Sequence, residues 1–514
     1  MKNLLLLGIL PLISTPNYAQ EELQSIVTAY PDLVPMTLKE LQTTQDEIDG
    51  IFAESPDGKQ ITVVTASEDK QTKVTSFDTD SGKIMWSVVG NYSPLMRTTN
   101  RGILLYNYNN SQLLDAATGE NVWKNKPSFW KGIKVPVYQK GDILMAYNGA
   151  EASPFLGINM RTGERIWTTS IKRSYGIANI YDIDDTHSFI VTNRLYKIDW
   201  TTGQTEDIKI NIGDMSGKRV WAQIGLGLGL GMYPSGSYAW TGNTMMPVMA
   251  AWEVLSGRVS NIAERDGLYY LADQDFIRCF DKNLQVKWQT PLPKDIVTRS
   301  RIELLGDTLV MVNLGIAYKG AAEPTAKGRP FVAAFDINNG TQLLFHPLAN
   351  KGKMVSTLTI KSNRVVAAIA DSCKLYSLTQ GEEHSWAWNK KELGDLNIIL
   401  EEDNYIYNSE EHSFKKLDPT EDLAINSSVE VYLLSTEEAN PINKGSIATI
   451  YSYLMDFSDG RSVIVGGSKR EDCWVINADG SPYCHIDAPV NKVYDWNHHV
   501  GFVLNNGRTL ILDK

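Results

Sequence analysis

QLLDAATGENVWKN, residues 112–125, reads as two short strands around a polar turn. Leu113 and Leu114 lead into Asp115, Thr118 and Gly119 turn the chain, and Val122 and Trp123 begin the return. Relatives of the stretch stand at 74–87 (VTSFDTDSGKIMWS), 156–169 (LGINMRTGERIWTT) and 195–208 (LYKIDWTTGQTEDI). The Asp or Asn before the turn marks each copy: Asp78, Asp115, Asn159, Asp199, Asp281, Asp336, Asp418, Asn477 and Asp513, with a degenerate copy at Leu378. The first three spacings are 37, 44 and 40 residues, whereas Asp199 to Asp281 is 82, about two units or one unit with a large insertion. Short strands at a period near 40 point to a propeller or solenoid. Their apolar–polar alternation at period two disfavours a helical repeat.

Within one unit, SPLMRTT (93–99), GILLYNYNN (102–110), SQLLDA (111–116) and ENVWKN (120–125) supply four strands. Such a sheet cannot bury both faces alone, so units stack face to face around an axis. Trp86, Trp123, Trp167 and Trp288, each after its turn, are assigned to filling the gap to the next blade. The expected fold is all-β: a single β-propeller of eight four-stranded antiparallel blades over 50–514, the tally of units allowing seven to ten. The last unit, HHVGFVLNNGRTLILDK, ends before its Trp strand. Residues 20–49 are therefore expected to close the ring, with SIVTAY (25–30) as the borrowed strand, which removes an exposed edge.

With 514 residues, 43% of them hydrophobic, the chain is long enough for one large domain or several ordinary ones. The formal charge of −11 and the absence of a long Lys/Arg run argue against nucleic acid and against an anionic lipid surface as partners. Residues 1–19 have a basic start at Lys2, an apolar run from Leu4 to Ile13 and a polar end at Ala19, the layout of a secretory signal peptide. That run is near half the roughly 20 residues a spanning helix needs. Cleavage near Ala19 is expected, giving a periplasmic or secreted protein, and no cysteine near that point offers a lipid anchor.

The four cysteines, Cys279, Cys373, Cys473 and Cys484, form no C-x-x-C pair. Cys473 and Cys484 flank WVINADGSPY, whose ADGS turn would set them opposite or nearly opposite across a hairpin. In an oxidising compartment they form a disulfide, or they remain two buried thiols if the register is off. The seven histidines are scattered and H-E-x-x-H is absent. His498 and His499 would point to opposite faces of a strand. DIDDTH (182–187) lacks the Gly and the distant Glu of a calcium loop and reads as an acidic turn. No catalytic residue, metal ligand or cofactor is assigned.

The pattern lyald..tGe.lW, clearest over 60–170 and traceable to the C-terminus, resembles the pyrroloquinoline-quinone-type (PQQ-like) propeller repeat. Quinoprotein dehydrogenases share that repeat with the propeller of the outer-membrane β-barrel assembly machinery. In alcohol-oxidising members the resemblance implies adjacent cysteines over the cofactor and a calcium-binding carboxylate that acts as base. No two cysteines are adjacent here, and no residue matches the calcium or base positions.

One stretch stands outside the repeat. From Val220 to Trp252 there is no charged residue, and glycines alternate at 225, 227, 229 and 231, so G-x-G-x-x-G is not met. The insertion at 220–252 either covers the propeller or offers Met232, Tyr233, Tyr238 and Trp240 as a partner surface. The functional expectation is an exported, non-enzymatic scaffold binding a protein of the cell envelope. The alternative is a periplasmic quinone-dependent oxidoreductase.

Overall fold

A computed structural model describes residues 27–29, 38–43 and, with short interruptions, 51–212, 259–387, 405–421 and 450–514. The chain is a single β-propeller of antiparallel sheets. Seven sheets have four strands, and the first runs Ile51–Glu54, Gln60–Ala66, Thr72–Asp78 and Ile84–Gly90 in chain order. Further sheets of this kind span 134–169, 179–209, 263–291, 300–347 and 355–387. In the sheet at 300–347 a separate hairpin, Ile316–Lys319 with Glu323–Ala326, is inserted between the second and third strands.

Two sheets depart from this plan. The seven-stranded sheet joins the four strands over 450–486 to Tyr405–Asn408 and Ser413–Lys416 on one side and Val27–Ala29 on the other. The sheet over 95–114 has three strands. There the described part of ENVWKN, expected as a fourth strand, forms an isolated bridge between Leu114 and Asn121. The Asn121 side chain accepts the backbone N–H of Trp123 at 3.1 Å.

The core is a series of apolar layers, each shared by two successive sheets. Val64 and Val74 meet Ile103 and Leu114, and Leu104 and Leu113 meet Leu144 and Leu156. Phe189 and Val191 pack on Tyr269 and Phe280. Stacking on both faces explains why middle strands are buried throughout, as in His499–Leu504, where all six residues are buried. Outer strands are largely exposed: Arg165–Thr169 buries only Trp167. The expected alternation shows at the rim as half-buried alternate positions in Val286–Pro291, while the middle strands read as continuous apolar runs.

Ring closure also differs from expectation. The last sheet, Val490–Asp495, His499–Leu504 and Thr509–Asp513, takes Leu38–Leu41 as its outer strand, with Leu38 opposite Leu512. Within SIVTAY, Val27–Ala29 pairs instead with Pro482–Ile486, one sheet earlier. Leu38–Leu41 is held by side chains that suit this edge. Glu40 takes a bidentate pair from Arg508 at 2.7 Å for both bonds, and the Thr43 hydroxyl donates to the Gly507 carbonyl at 2.9 Å. Leu41, Phe52, Ile61 and Phe77 then pack with Tyr494, Trp496 and Ile511, joining the last sheet to the first.

Candidate functional site

The repeated turn is built from local bonds. The backbone N–H of Asp199 donates to Gln204 O at 2.9 Å, and that of Gly203 donates to Asp199 O at 2.8 Å. The Asp199 carboxylate takes the N–H of Thr201 at 2.7 Å and the hydroxyl of Thr202 at 2.9 Å. Gly203 sits at φ +72°, where a side chain is strained. The two backbone bonds recur at Asp78, Asp115, Asn159 and Asp336.

Four of these five turns receive an indole from the preceding sheet. Nε1 of Trp86 donates to Ala116 O at 2.9 Å, Trp123 to Met160 O at 2.9 Å, Trp167 to Trp200 O at 2.6 Å and Trp288 to Ile337 O at 3.0 Å. The acceptor in every case is the residue after the marker Asp or Asn. The ring then lies over the turn glycine: a Cβ at Gly119, Gly163, Gly203 or Gly340 would come within 2.7, 3.0, 2.7 or 2.4 Å of it. At Gly82 the place of the indole is taken by the closing strand, with Gln42 N donating to Gly82 O at 2.9 Å. The turn motif is thus a sheet-to-sheet latch.

Ion pairs add to the latches on this side of the ring. Asp142 accepts from Arg101 at 2.6 and 2.9 Å and from Arg161 at 2.8 Å. The hydrogen bonds from Arg101, aided by those from Arg161, hold its carboxyl well below the usual aspartate range. At the ring seam His499 lies between Glu54, 2.6 Å from Nδ1, and Asp513, 3.1 Å from Nε2. His498 presses its ring on Gly58 instead, and its backbone N–H donates to Glu54 Oε2 at 3.0 Å. In DIDDTH the Asp184 carboxylate takes the backbone N–H groups of Thr186 and His187, both at 2.8 Å, and so caps its own turn. Among the described residues no group of three or more His, Cys, Asp or Glu is arranged to hold a metal ion.

Cys473 and Cys484 are thiols, and no disulfide joins them. Cys473 stands opposite Ile486 and Cys484 opposite Val475, because a bulge between Val475 and Ile476 shifts the ladder beyond the ADGS turn. The two are diagonal neighbours in one apolar layer. Burial pushes the Cys484 thiol up to about 12.

Met232, Tyr233, Tyr238 and Trp240 lie outside the described residues, but both feet of their insertion are described. Ile210 and Ile212 on one side, and Val259 and Ile262 on the other, are buried with Phe189 and Phe280. Asn211 N and Nδ2 donate to Asp273 at 3.0 Å and to Asp275 at 2.8 Å, and Gln274 N returns a bond to Asn211 O at 3.0 Å. Asp273 is fully buried and also pairs with Arg278. The insertion connects a fourth strand to the next first strand, whereas the hairpin at 316–326 connects a second strand to a third. In an antiparallel sheet these two kinds of connection leave from the same end. The feet of the insertion and of the hairpin therefore lie on the face opposite the latch turns, and that face is the candidate interaction surface. The hairpin and the closing strand were not singled out in the sequence; the only signal for the latter is LKEL itself, leucines flanking a charged pair.

Residues 40–262 match the family model described as outer membrane protein assembly factor BamB. This chain is similar to that PQQ-like propeller family. A curated protein of the same description from Francisella salina is 33% identical over 86 residues, 15% of this chain. That match spans 16% of the relative's length. Among solved structures, BamB from Moraxella catarrhalis is 11% identical, with 95% of this chain and 100% of that chain covered and a TM-score of 0.34. The C-terminal WD40 domain of Sif2 is likewise 11% identical, with 69% and 89% covered and a TM-score of 0.31. Neither structural likeness bears on function.

Proposed function

We propose that the chain is a non-enzymatic scaffold of the cell envelope that binds a protein partner, in the manner of an outer-membrane assembly factor. The match of residues 40–262 to the assembly-factor model carries this reading. Two features accord with it: the repeat residues are spent on sheet-to-sheet latches, and the feet of the insertion and of the hairpin lie on one face. Export through residues 1–19, cleaved near Ala19, places the propeller where such a partner resides. Among the described residues no helix is long and apolar enough to cross a membrane.

The test is in-cell crosslinking of the tagged full-length chain, followed by purification from the envelope fraction and N-terminal sequencing of the recovered protein. The expected result is a mature N-terminus near Gln20 and a discrete crosslinked envelope protein. Recovery with an intact leader and no crosslinked product would overturn the proposal. Addition of pyrroloquinoline quinone with calcium to the purified protein should leave the cofactor's absorbance that of the free quinone; a stoichiometric spectral shift would favour the oxidoreductase instead.

A further inference from the structure

Two short motifs on the face opposite the latch turns set a glycine between two cations: Lys327–Gly328–Arg329 and Lys351–Gly352–Lys353. The first leads from the inserted hairpin into Phe331–Asp336, and the second joins Gln342–Pro347 to Val355–Lys361. The fold ties the two glycines together, with Gly352 N donating to Gly328 O at 2.9 Å. One backbone hydrogen bond therefore has a cation at each of its four flanking positions. Lys327, Lys351 and Lys353 are exposed and Arg329 is half-buried. Among the described residues none of the four is in an ion pair.

The neighbouring sequence does not offset this charge. From Pro324 to Ala370 there are six Lys or Arg and one acidic residue, Asp336, which belongs to a latch turn on the other face. Glu323, just before the run, stands opposite Lys319 in the hairpin. The other two cations of the run, Lys361 and Arg364, are paired with Asp418 and Glu383 and form no part of the site. Lys294, on the adjoining loop, is likewise set aside because Asp295 follows it. The backbone beneath the four cations is fixed. Lys327 N donates to Gly315 O at 3.0 Å, Arg329 N to Ile296 O at 3.0 Å and Lys353 N to Asn350 O at 3.3 Å. Arg329 Nε donates to Ala349 O at 3.1 Å, which leaves its two terminal nitrogens to meet an anion end-on.

We propose that this four-cation platform binds an Asp/Glu-rich segment of the partner protein. Like charges held this close repel one another, so a cluster of carboxylates that meets them together is attracted by each and relieves the repulsion. The charge of the whole chain selects the kind of anion. At −11 it repels an extended polyanion, such as a nucleic-acid duplex or an anionic bilayer, over most of the surface. A short acidic segment meets the platform alone. A bilayer also needs an apolar anchor, and none of the exposed large hydrophobics among the described residues lies on these loops. The inference rests on the binding-scaffold reading and names the chemistry of the segment that the reading leaves open.

The experiment is fluorescence anisotropy of a labelled Gly-Glu-Asp-Glu-Asp-Glu-Gly peptide titrated with the full mature chain at low salt. Saturable binding is expected, weakening as salt is added. The double variant Lys327→Gln with Lys353→Gln, at two exposed positions, should keep the wild-type melting temperature and bind about ten-fold more weakly. Lys351→Gln serves as a second variant. Lys282→Gln, in the exposed turn after Asp281 on the other face, should bind as wild type does. A peptide with Gln and Asn in place of Glu and Asp should not bind. Absence of saturable binding, equal binding by the double variant, or full displacement by equimolar inorganic phosphate would each overturn the proposal. So would capture of the wild-type chain, but not the double variant, by phosphatidylglycerol vesicles, which would make the platform a lipid-headgroup site. A double variant that still acquires its crosslinked envelope partner sinks this platform as the docking site and leaves the scaffold reading standing. Absence of any crosslink in wild type sinks that reading itself.

Discussion

The indole of Trp167 and the turn glycine Gly203 are in direct contact across two sheets: a Cβ on Gly203 would fall 2.7 Å from the ring. The indole N–H is bound to Trp200 O at 2.6 Å, so the ring has no room to withdraw. The smallest residue in the turn is thus matched to the largest side chain of its neighbour, and the match repeats from sheet to sheet.

Gly203→Ala should therefore cost both backbone strain at φ +72° and overpacking against Trp167. Together these amount to roughly 2–4 kcal/mol. Gly141→Ala is the control. It has φ +54° but nothing within 4 Å of the added Cβ, so it should lose only about 1 kcal/mol. Thermal melting of the two variants side by side checks the difference; equal losses would mean that the indole gives way freely.

The closing strand makes a second prediction. Glu40 and Arg508 are 468 residues apart in sequence and joined by two bonds of 2.7 Å. Leu41→Asp places a charge in the layer that joins the last sheet to the first, where Leu41 is 1% exposed. It should destabilise by at least about 3 kcal/mol and raise protease sensitivity near both termini. Glu40→Ala leaves Arg508 without its carboxylate in a half-buried site and should cost about 1–2 kcal/mol. Limited proteolysis with terminal mapping reads the opening directly.

Acid should weaken the latch at Asp142. Its carboxyl is depressed in the folded chain by Arg101 and then Arg161, so its contribution is complete above the unfolded value near 3.9. It is lost as pH falls below that value toward the folded one. Asp142→Asn should lower the melting temperature at pH 7 and converge on wild type in strong acid. A constant gap between the two melting curves from pH 7 to pH 2 would show that the carboxylate charge is not what matters.

The thiols predict an unusual labelling pattern. All four cysteines are buried, and burial raises Cys373 and Cys484 to about 12 and Cys279 to about 11. Thiolate is the reactive form, so iodoacetamide at pH 8 should label none of them in the native protein. Unfolding in guanidinium without reductant should then expose four reactive thiols. Mass spectrometry finding two would restore the Cys473–Cys484 bridge.

The latch turn was legible in the sequence because its bonds span about five residues: an acceptor at the start, a glycine at the left-handed position and a Trp strand after it. From these alone came the period near 40, the four-strand unit and the all-β propeller. The uncharged insertion was visible for the same reason, since composition is local. Tertiary structure alone decided that LKEL rather than SIVTAY completes the last sheet, because the choice depends on Arg508 and Gly507, which become neighbours only when the ring closes. It decided the thiol register, through a single bulge at Val475 that no turn motif announces. Local sequence sets the bonds within a turn, whereas pairing partners and edges are set by the apolar layers shared between sheets far apart in the chain.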